Sequence, residues 1–189
     1  VLAAACGGPA ASAGPGATVP QAASTSTTPA DPYAIPSPIT AAYVQRVLDA
    51  IEAINNQATL VMVQQRSLTP EAARLFRSVS TADEFGAQTQ ILLDQLDQGL
   101  PNYRSNPGPV RDTNIRLVYA TNSCIFVGAN RDYSALLTSV PPAHQFYFVL
   151  RRSQPQDDPT HINATNWLVA FLGHNSDESQ PEDTCVTHP

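Results

Sequence analysis

Two stretches of the chain decide its fold: HQFYFVLRR (144–152) and NWLVAFLGH (166–174). Both are rich in aromatic and aliphatic residues, which is typical of β-strands. In an antiparallel sheet with one face in water, apolar and polar residues alternate along each strand. Neither stretch alternates in this way. Both faces of the predicted sheet therefore need cover.

The period of two assigns the side chains of these stretches to faces. In the first stretch, one face carries Phe146, Phe148 and Leu150, and the other carries Tyr147 and Val149. In the second, Trp167, Val169 and Phe171 oppose Leu168, Ala170 and Leu172. The residues that we expect to line a pocket or an interface are Tyr133, Phe146, Tyr147, Phe148, Trp167 and Phe171.

Other strand-like segments lie N-terminal to these two stretches. N-terminal to all the strand-like segments, the apolar residues recur with the period of a helix. The pattern predicts strands near residues 113–121, 123–129, 132–140, 144–152 and 165–174. Helices followed by a run of strands indicate an α+β domain. We expect N-terminal helices packed on a curved antiparallel sheet of four to five strands.

Capping residues predict where three N-terminal helices begin. Ser37, followed by Pro38, has the pattern of a helix N-cap, and Thr69 stands in the same relation to Pro70. The first helix should run to about Arg66, with Asn55-Asn56 as a potential interruption. Thr81 and Glu84 have the spacing of a capping box for the third helix, which should stop at Gly99-Leu100-Pro101.

The second face of the sheet can be covered in three ways. It can meet a partner subunit, it can curl around a cavity, or it can carry the C-terminal tail. Cys124 lies in a predicted strand and Cys185 lies in that tail, and an even pair of cysteines in an exported protein favours a disulfide. The alternative is two unrelated buried thiols. No cysteine or histidine spacing indicates a zinc site.

The N-terminal region predicts export and a tether. Residues 7–37 are rich in Pro, Ala, Ser, Thr and Gly, a composition that indicates a disordered linker. Before them, Leu2-Ala3-Ala4-Ala5-Cys6-Gly7 resembles the lipobox of secreted bacterial lipoproteins, although the family usually has leucine three residues before the cysteine, where this chain has Ala3. The resemblance implies a diacylglyceryl group on Cys6.

Cleavage after Ala5 by another secretory route and a plain alanine linker are the alternatives to the lipobox interpretation. All ten basic residues are arginine, which fits a GC-rich genome such as an actinobacterial one. The predicted organisation is the end of a signal and lipobox at 1–6, the linker at 7–37, and one α+β domain at 38–189 with a tail stapled by the disulfide. The expected location is the outer face of the cell membrane.

The order of elements, three helices and then the sheet, resembles the nuclear-transport-factor-like or ketosteroid-isomerase-like cone over residues 38–174. That resemblance implies a pocket between the helices and the sheet, and often a dimer through the sheet. The uninterrupted block of helices departs from the family, whose members commonly place a strand before the third helix.

The chain carries few residues in catalytic patterns. If the cone were an isomerase, Asp132, Tyr133 and Tyr147 would be the places to look for a general base and an oxyanion donor. His174 with Asp177 and Glu178 could form a weak metal or acid/base cluster, but a solvated strand end is the preferred interpretation. We expect no metal and no cofactor.

Composition excludes two classes of function. The net charge of the 189-residue chain is −6 and its arginines are dispersed, so a nucleic-acid-binding surface is not expected. No stretch approaches the ~20 apolar residues of a membrane span. The chain is predicted to be a non-catalytic binding or interaction module of the cell envelope, with itself or an envelope protein as partner. The alternative is a carrier of a small molecule or lipid, with an isomerase-like enzyme third.

Overall fold

Three helices precede a four-stranded sheet in the computed structural model, and a short helix follows it. The structure describes residues 30–100, 102–139, 144–174 and 181–187. The helices are α1 (Ala41–Gln65), α2 (Pro70–Val79), α3 (Ala82–Asp97) and α4 (Pro181–Thr187). The strands are β1 (Arg111–Ala120), β2 (Cys124–Asp132), β3 (His144–Arg152) and β4 (Trp167–Gly173). The domain is therefore α+β, as predicted.

Side-chain caps set the starts of the three N-terminal helices. Thr40, not Ser37, caps α1, because its hydroxyl accepts a hydrogen bond from the Tyr43 amide. Thr69 and Thr81 cap α2 and α3, as the sequence predicted. The α1 helix continues without a break through Asn55-Asn56, so the expected interruption there is wrong.

The sheet is an antiparallel meander in the order β1-β2-β3-β4. The separate strand predicted at 132–140 does not form within its described residues, 132–139. Asp132 ends β2, and its carboxylate accepts hydrogen bonds from the amide and hydroxyl of Ser134. This turn, in which the Leu136 amide bonds the Tyr133 carbonyl, redirects the chain out of the sheet.

The inner face of the sheet packs on α1 to form the main core. Its central members are fully buried, or nearly so: Tyr43, Val44, Val47, Leu48, Ile51, Ile125, Val127, Phe148, Leu150 and Trp167. The Trp167 indole nitrogen donates to the Tyr43 hydroxyl at 2.8 Å, which satisfies the polar atom of each aromatic side chain inside the core.

Ordered contacts begin before α1, within the segment that the sequence assigned to the linker. Tyr33 and Ile35 pack against the main core, and the Tyr43 hydroxyl donates to the Tyr33 carbonyl. Residues from Asp31 onward belong to one compact unit. Residues 1–29, with Cys6, lie outside the described residues.

The α4 helix packs on the β1–β2 part of the outer face of the sheet. A disulfide joins Cys124 on β2 to Cys185 on α4, which confirms the predicted pair. Phe126 and Val149, which pack beside Cys124 and Cys185 on this face, are fully buried. The C-terminal tail, one of the three kinds of cover considered above, is thus observed on this face.

A β-bulge in β4 changes the faces that simple alternation predicted. Leu150 pairs with Val169, but the preceding Val149 pairs with Phe171, so the register shifts at this point. Beyond the shift, Leu172 packs with the inner core, and Phe171 packs with the outer cluster. The prediction that Phe171 shares the face of Trp167 and Val169 is therefore wrong.

Asn163 joins the end of α2 to the start of β4. Its buried side-chain amide donates to the carbonyls of Ser78 and Trp167, and its oxygen accepts from the amide and hydroxyl of Thr165. The Asn163-Ala164-Thr165 sequence, which matches a glycosylation sequon, is therefore used as a structural turn. None of the helices in the described part of the chain has the length and apolar character needed to cross a membrane.

Candidate functional site

A partly open pocket of about 530 Å³ lies between the helices and the inner face of the sheet. This size is within the usual range for small-molecule sites. Helices α1 and α3, the ends of β2, β3 and β4, and the two loops that follow α3 and β2 contribute to its walls. Other depressions exist, such as one of about 490 Å³ beside Arg152, but polar loop residues dominate that surface.

The two loops form one wall because their backbones are joined. The Arg104 amide donates to the Leu136 carbonyl, and the Gly108 amide donates to the Ala135 carbonyl at 2.8 Å. A Cβ atom on Gly108 would lie 3.0 Å from the Cβ of Ala135, so a larger residue would push the loops apart. Glycine at this position therefore allows the wall to close.

Most of the pocket wall is apolar or aromatic. The residues that contribute such surface are Phe76, Ile91, Leu92, Tyr103, Val110, Tyr133, Leu136, Phe146, Phe171 and Leu172. The Tyr133 and Phe146 rings meet edge to face, with their centroids 5.8 Å apart. Such a surface favours an apolar or aromatic ligand body.

A polar stripe on α1 interrupts this apolar wall. Glu52, Asn55, Asn56 and Thr59 all line the pocket. Their spacing of i, i+3, i+4 and i+7 places them on one face of the helix. The stripe lies on the same face of α1 as the residues that form the main core. Polar side chains here therefore occupy helix positions of the kind that are apolar earlier in α1.

Arg131, at the end of β2, forms the centre of a buried ion cluster with Glu52 and Asp112. Its Nη2 lies 2.7 Å from Glu52 Oε1, and its Nη1 lies 3.7 Å from Asp112 Oδ2. All three residues are only 4% exposed. Asn55 Nδ2 donates to the same Glu52 oxygen at 3.4 Å, so the cluster is continuous with the polar stripe.

Burial governs the titration of the cluster. It raises the pKa of the Asp112 carboxyl from 3.8 to about 7, with Arg131 opposing the shift and Glu52 adding to it. Burial by itself would lower the pKa of Arg131, but the charges of Glu52 and Asp112 outweigh it, so that pKa is raised. The guanidinium therefore stays charged.

Aromatic faces surround this guanidinium. Its central carbon lies 5.5 Å from the ring centre of Tyr133, 5.9 Å from that of Phe146 and 5.2 Å from that of Phe148. Cation–π attraction at such distances contributes about 0.5–2 kcal/mol per ring. The rings therefore help to hold a charge that has little access to water.

Glu84 adds a second polar position on the α3 side of the pocket. Burial raises the pKa of its carboxyl, against the lowering effect of hydrogen bonds from Gln88 and the Leu172 backbone. The Gln88 amide donates to Glu84 Oε1 at 2.7 Å. The Glu84 side chain is thus committed to the pocket wall and does not return to its own helix start as a capping box would require.

The six predicted pocket or interface residues separate into three groups. Tyr133 and Phe146 line the pocket, and Phe171 borders it at the end of β4 although it packs with the outer cluster. Phe148 and Trp167 are fully buried in the main core. Tyr147 packs with the outer cluster near Phe126, on the other face of the sheet.

The groups considered for isomerase chemistry do not assemble in the pocket. Tyr133 lines it, but Tyr147 belongs to the opposite face, and Asp132 is bonded to Ser134 in a surface turn. Hydrogen bonds from the backbone and hydroxyl of Ser134 lower the pKa of Asp132, which is the reverse of what a general base needs. Burial raises the pKa of Tyr133.

His174 lines the pocket and contacts the Phe146 ring, with ring centres 4.0 Å apart. Asp177 and Glu178, its proposed neighbours in a metal or acid/base cluster, lie outside the described residues. Within the described part of the chain, no group of three or more His, Cys, Asp or Glu side chains is placed to hold a metal ion.

Sequence reasoning missed the polar end of the pocket. From the sequence, Asn55-Asn56 is interpreted only as a potential interruption of the first helix, and no role is assigned to Glu52. The signal that could have identified them is the run of polar residues at helical spacing, in line with the apolar face. Arg131 gave no such signal, because it follows an apolar strand where a solvated end is the ordinary expectation.

Comparison of the chain with protein-family models, with curated proteins and with solved structures gave no match in any of the three. The interpretation of the pocket therefore rests on its geometry.

Proposed function

We propose that this protein is a membrane-tethered, extracytoplasmic binding protein that carries a small amphipathic molecule in the pocket between its helices and sheet. One observation carries the proposal: the pocket of about 530 Å³ has mostly apolar walls and a buried ion pair between Glu52 and Arg131 at its edge. Each methylene group of a ligand that leaves water for such a wall contributes about 0.8 kcal/mol. The polar cluster would fix the direction in which the ligand lies.

The cover on the outer face supports a carrier rather than an interaction module. An interaction module that used the sheet would need an open apolar face. Phe126 and Val149 on that face are fully buried, and α4 is attached there through Cys185. We therefore favour the carrier, which the sequence offered as the alternative.

The pairing of the ionisable groups supports binding rather than catalysis. Glu52 is held by Arg131 and Glu84 by Gln88, so neither is presented to a substrate as an uncommitted base. Export, a linker that gives way to ordered contacts at Asp31, and lipidation of Cys6 complete the proposal; export, linker and lipidation derive from the sequence. The position of the pocket between helices and sheet agrees with what the cone resemblance implies.

The proposal can be tested with Nile red, an uncharged fluorescent probe for apolar sites. We expect saturable binding of one probe per chain to the full-length protein. Ala87 is exposed on α3 and lines the pocket, so Ala87→Trp should obstruct it and weaken binding at least about tenfold. Fluorescence titration measures both values.

Ala53→Trp is the matched control, because Ala53 is exposed on α1 and is not among the residues that line the pocket. Its affinity for Nile red should equal that of the wild type. Unsaturable fluorescence, or equal loss of affinity in both variants, would show that the probe does not use the pocket and would contradict the proposed function.

A further inference from the structure

The polar end of the pocket contains hydrogen-bonding atoms that lack partners among the described residues. Nε of Arg131 is such a donor, and the side-chain oxygens of Asn55 and Asn56 are such acceptors. Nη1 of Arg131 and the Asp112 carboxylate face each other only at ion-pair distance, 3.7 Å. Arg131, Asn55 and Asn56 all line the pocket, and Arg131 is 96% buried since only 4% is exposed. A buried polar atom without a partner costs about 1–3 kcal/mol, which a ligand that supplies the partner can recover.

The orientation of the Asn55 amide follows from its neighbours. Its Nδ2 donates to Glu52 Oε1, since an amide oxygen in that position would face the carboxylate. The oxygen of Asn55 is thus available as an acceptor, and Asn56 contributes another from the same helix face. Both oxygens are buried in the structure, so a ligand reaches them only when the two amide groups turn toward the pocket, with loss of the Asn55–Glu52 hydrogen bond.

The charge balance of the same region limits the ligand further. Arg131 is already neutralised by Glu52 at 2.7 Å, with Asp112 at 3.7 Å. An anionic head group would lie beside the Glu52 carboxylate, which lines the pocket, and a cationic one would face the buried guanidinium. Either adds a buried charge without compensation, which is costly at low dielectric.

We propose that the ligand carries an uncharged head group with both a hydrogen-bond donor and an acceptor, as an aliphatic alcohol does. The head accepts from Arg131 and donates to Asn55 or Asn56, and the apolar body lies against the aromatic wall formed by residues such as Tyr133 and Phe146. This inference rests on the proposed function, because it names the ligand class of the same pocket.

Four probes with alkyl chains of nine or ten carbons distinguish the possible head groups. Each is measured by its ability to displace Nile red from the full-length protein at pH 7.5. They are 1-decanol, methyl nonyl ether, decanoate and decylamine. We expect 1-decanol to bind about tenfold more tightly than the ether, which has the same size but no O–H donor. Decanoate and decylamine should both bind more weakly than 1-decanol.

A paired variant separates hydrogen bonding from simple partition into an apolar site. Asn55→Leu/Asn56→Leu removes both acceptors, so 1-decanol and the ether should bind this variant equally, with each displacement referred to the variant's own affinity for Nile red. Asn102→Leu is the control for an exposed asparagine that is not among the residues lining the pocket, and it should keep the preference for the alcohol.

Each outcome decides the inference. Tighter binding of decanoate or decylamine than of 1-decanol overturns the neutral head group. Equal binding of alcohol and ether by the wild type, or an alcohol preference that persists in the double leucine variant, overturns the hydrogen-bonding role of the asparagines. In all these cases the wild type still binds Nile red, so the proposed binding function is not contradicted. If the wild type does not bind Nile red, the proposed function itself is wrong.

Discussion

At the residue scale, Arg131 illustrates how a charge is held where water is scarce. It combines a close carboxylate, a second carboxylate and three aromatic faces. Removing one partner of a buried ion pair commonly costs 3–5 kcal/mol, because the other charge is then left uncompensated. The cluster is thus a constraint on stability as well as the polar end of the candidate site.

Asp112 should make stability depend on pH. Its folded-state pKa of about 7 lies above its ordinary 3.8, so between these values the folded state holds a proton that the unfolded state releases. The free energy of unfolding therefore falls as the pH rises through this window. The Asp112→Asn variant lacks this contribution. Between pH 5 and pH 8, its free energy of unfolding should therefore fall by roughly 1–3 kcal/mol less than that of the wild type.

Urea unfolding at pH 5 and pH 8 measures this difference. Asp97→Asn is the control, because Asp97 is exposed on α3 and its variant should follow the wild type. If the Asp112→Asn and wild-type curves run parallel across this range, Asp112 is not the group responsible.

At the scale of elements, α4 owes its position to a single covalent link and a small apolar contact. A seven-residue helix has little stability of its own. The Cys124–Cys185 disulfide spans a sequence separation of 61 residues, and closing such a loop contributes roughly 4 kcal/mol in the chain-entropy model. The bridge thereby keeps the outer face of the sheet covered.

Cys124→Ala/Cys185→Ala should release α4 from the sheet. We expect a loss of roughly 3–4 kcal/mol in the free energy of unfolding. Amide exchange of residues 181–187 should become faster, and exchange in β2 should increase because Phe126 loses cover. Nile red binding should persist, since the pocket lies on the inner face. Unchanged exchange at 181–187 would show that α4 is held without the disulfide.

At the scale of the whole molecule, the proposed carrier depends on a tether that keeps the pocket near a membrane. Lipidation of Cys6 predicts a mature chain that begins at this cysteine and carries a diacylglyceryl group. Mass spectrometry of the protein from the membrane fraction of its native host measures both. Cys6→Ser is the control and should appear in the soluble fraction or retain the preceding residues.

An unmodified Cys6 in soluble wild-type protein would contradict the anchor and favour the alternative cut after Ala5. The pocket and its ligand do not depend on this result. The tether and the domain are therefore tested independently.

The sequence by itself determined the class of the fold and much of its local structure. Thr69 and Thr81 began their helices as predicted, because caps depend on neighbouring backbone groups. The absence of alternation in β3 and β4 indicated two covered faces, since apolar side chains on both faces must leave water. The pair Cys124 and Cys185 followed from cysteine count and position.

Only the tertiary structure decided which side chains meet. The bulge that moved Phe171 to the outer face depends on pairing between β3 and β4, which no local pattern encodes. The cluster of Glu52, Asp112 and Arg131 joins residues up to 79 positions apart, and its charges are stable there because the fold excludes water and supplies partners together. The candidate site therefore arises from packing rather than from a motif.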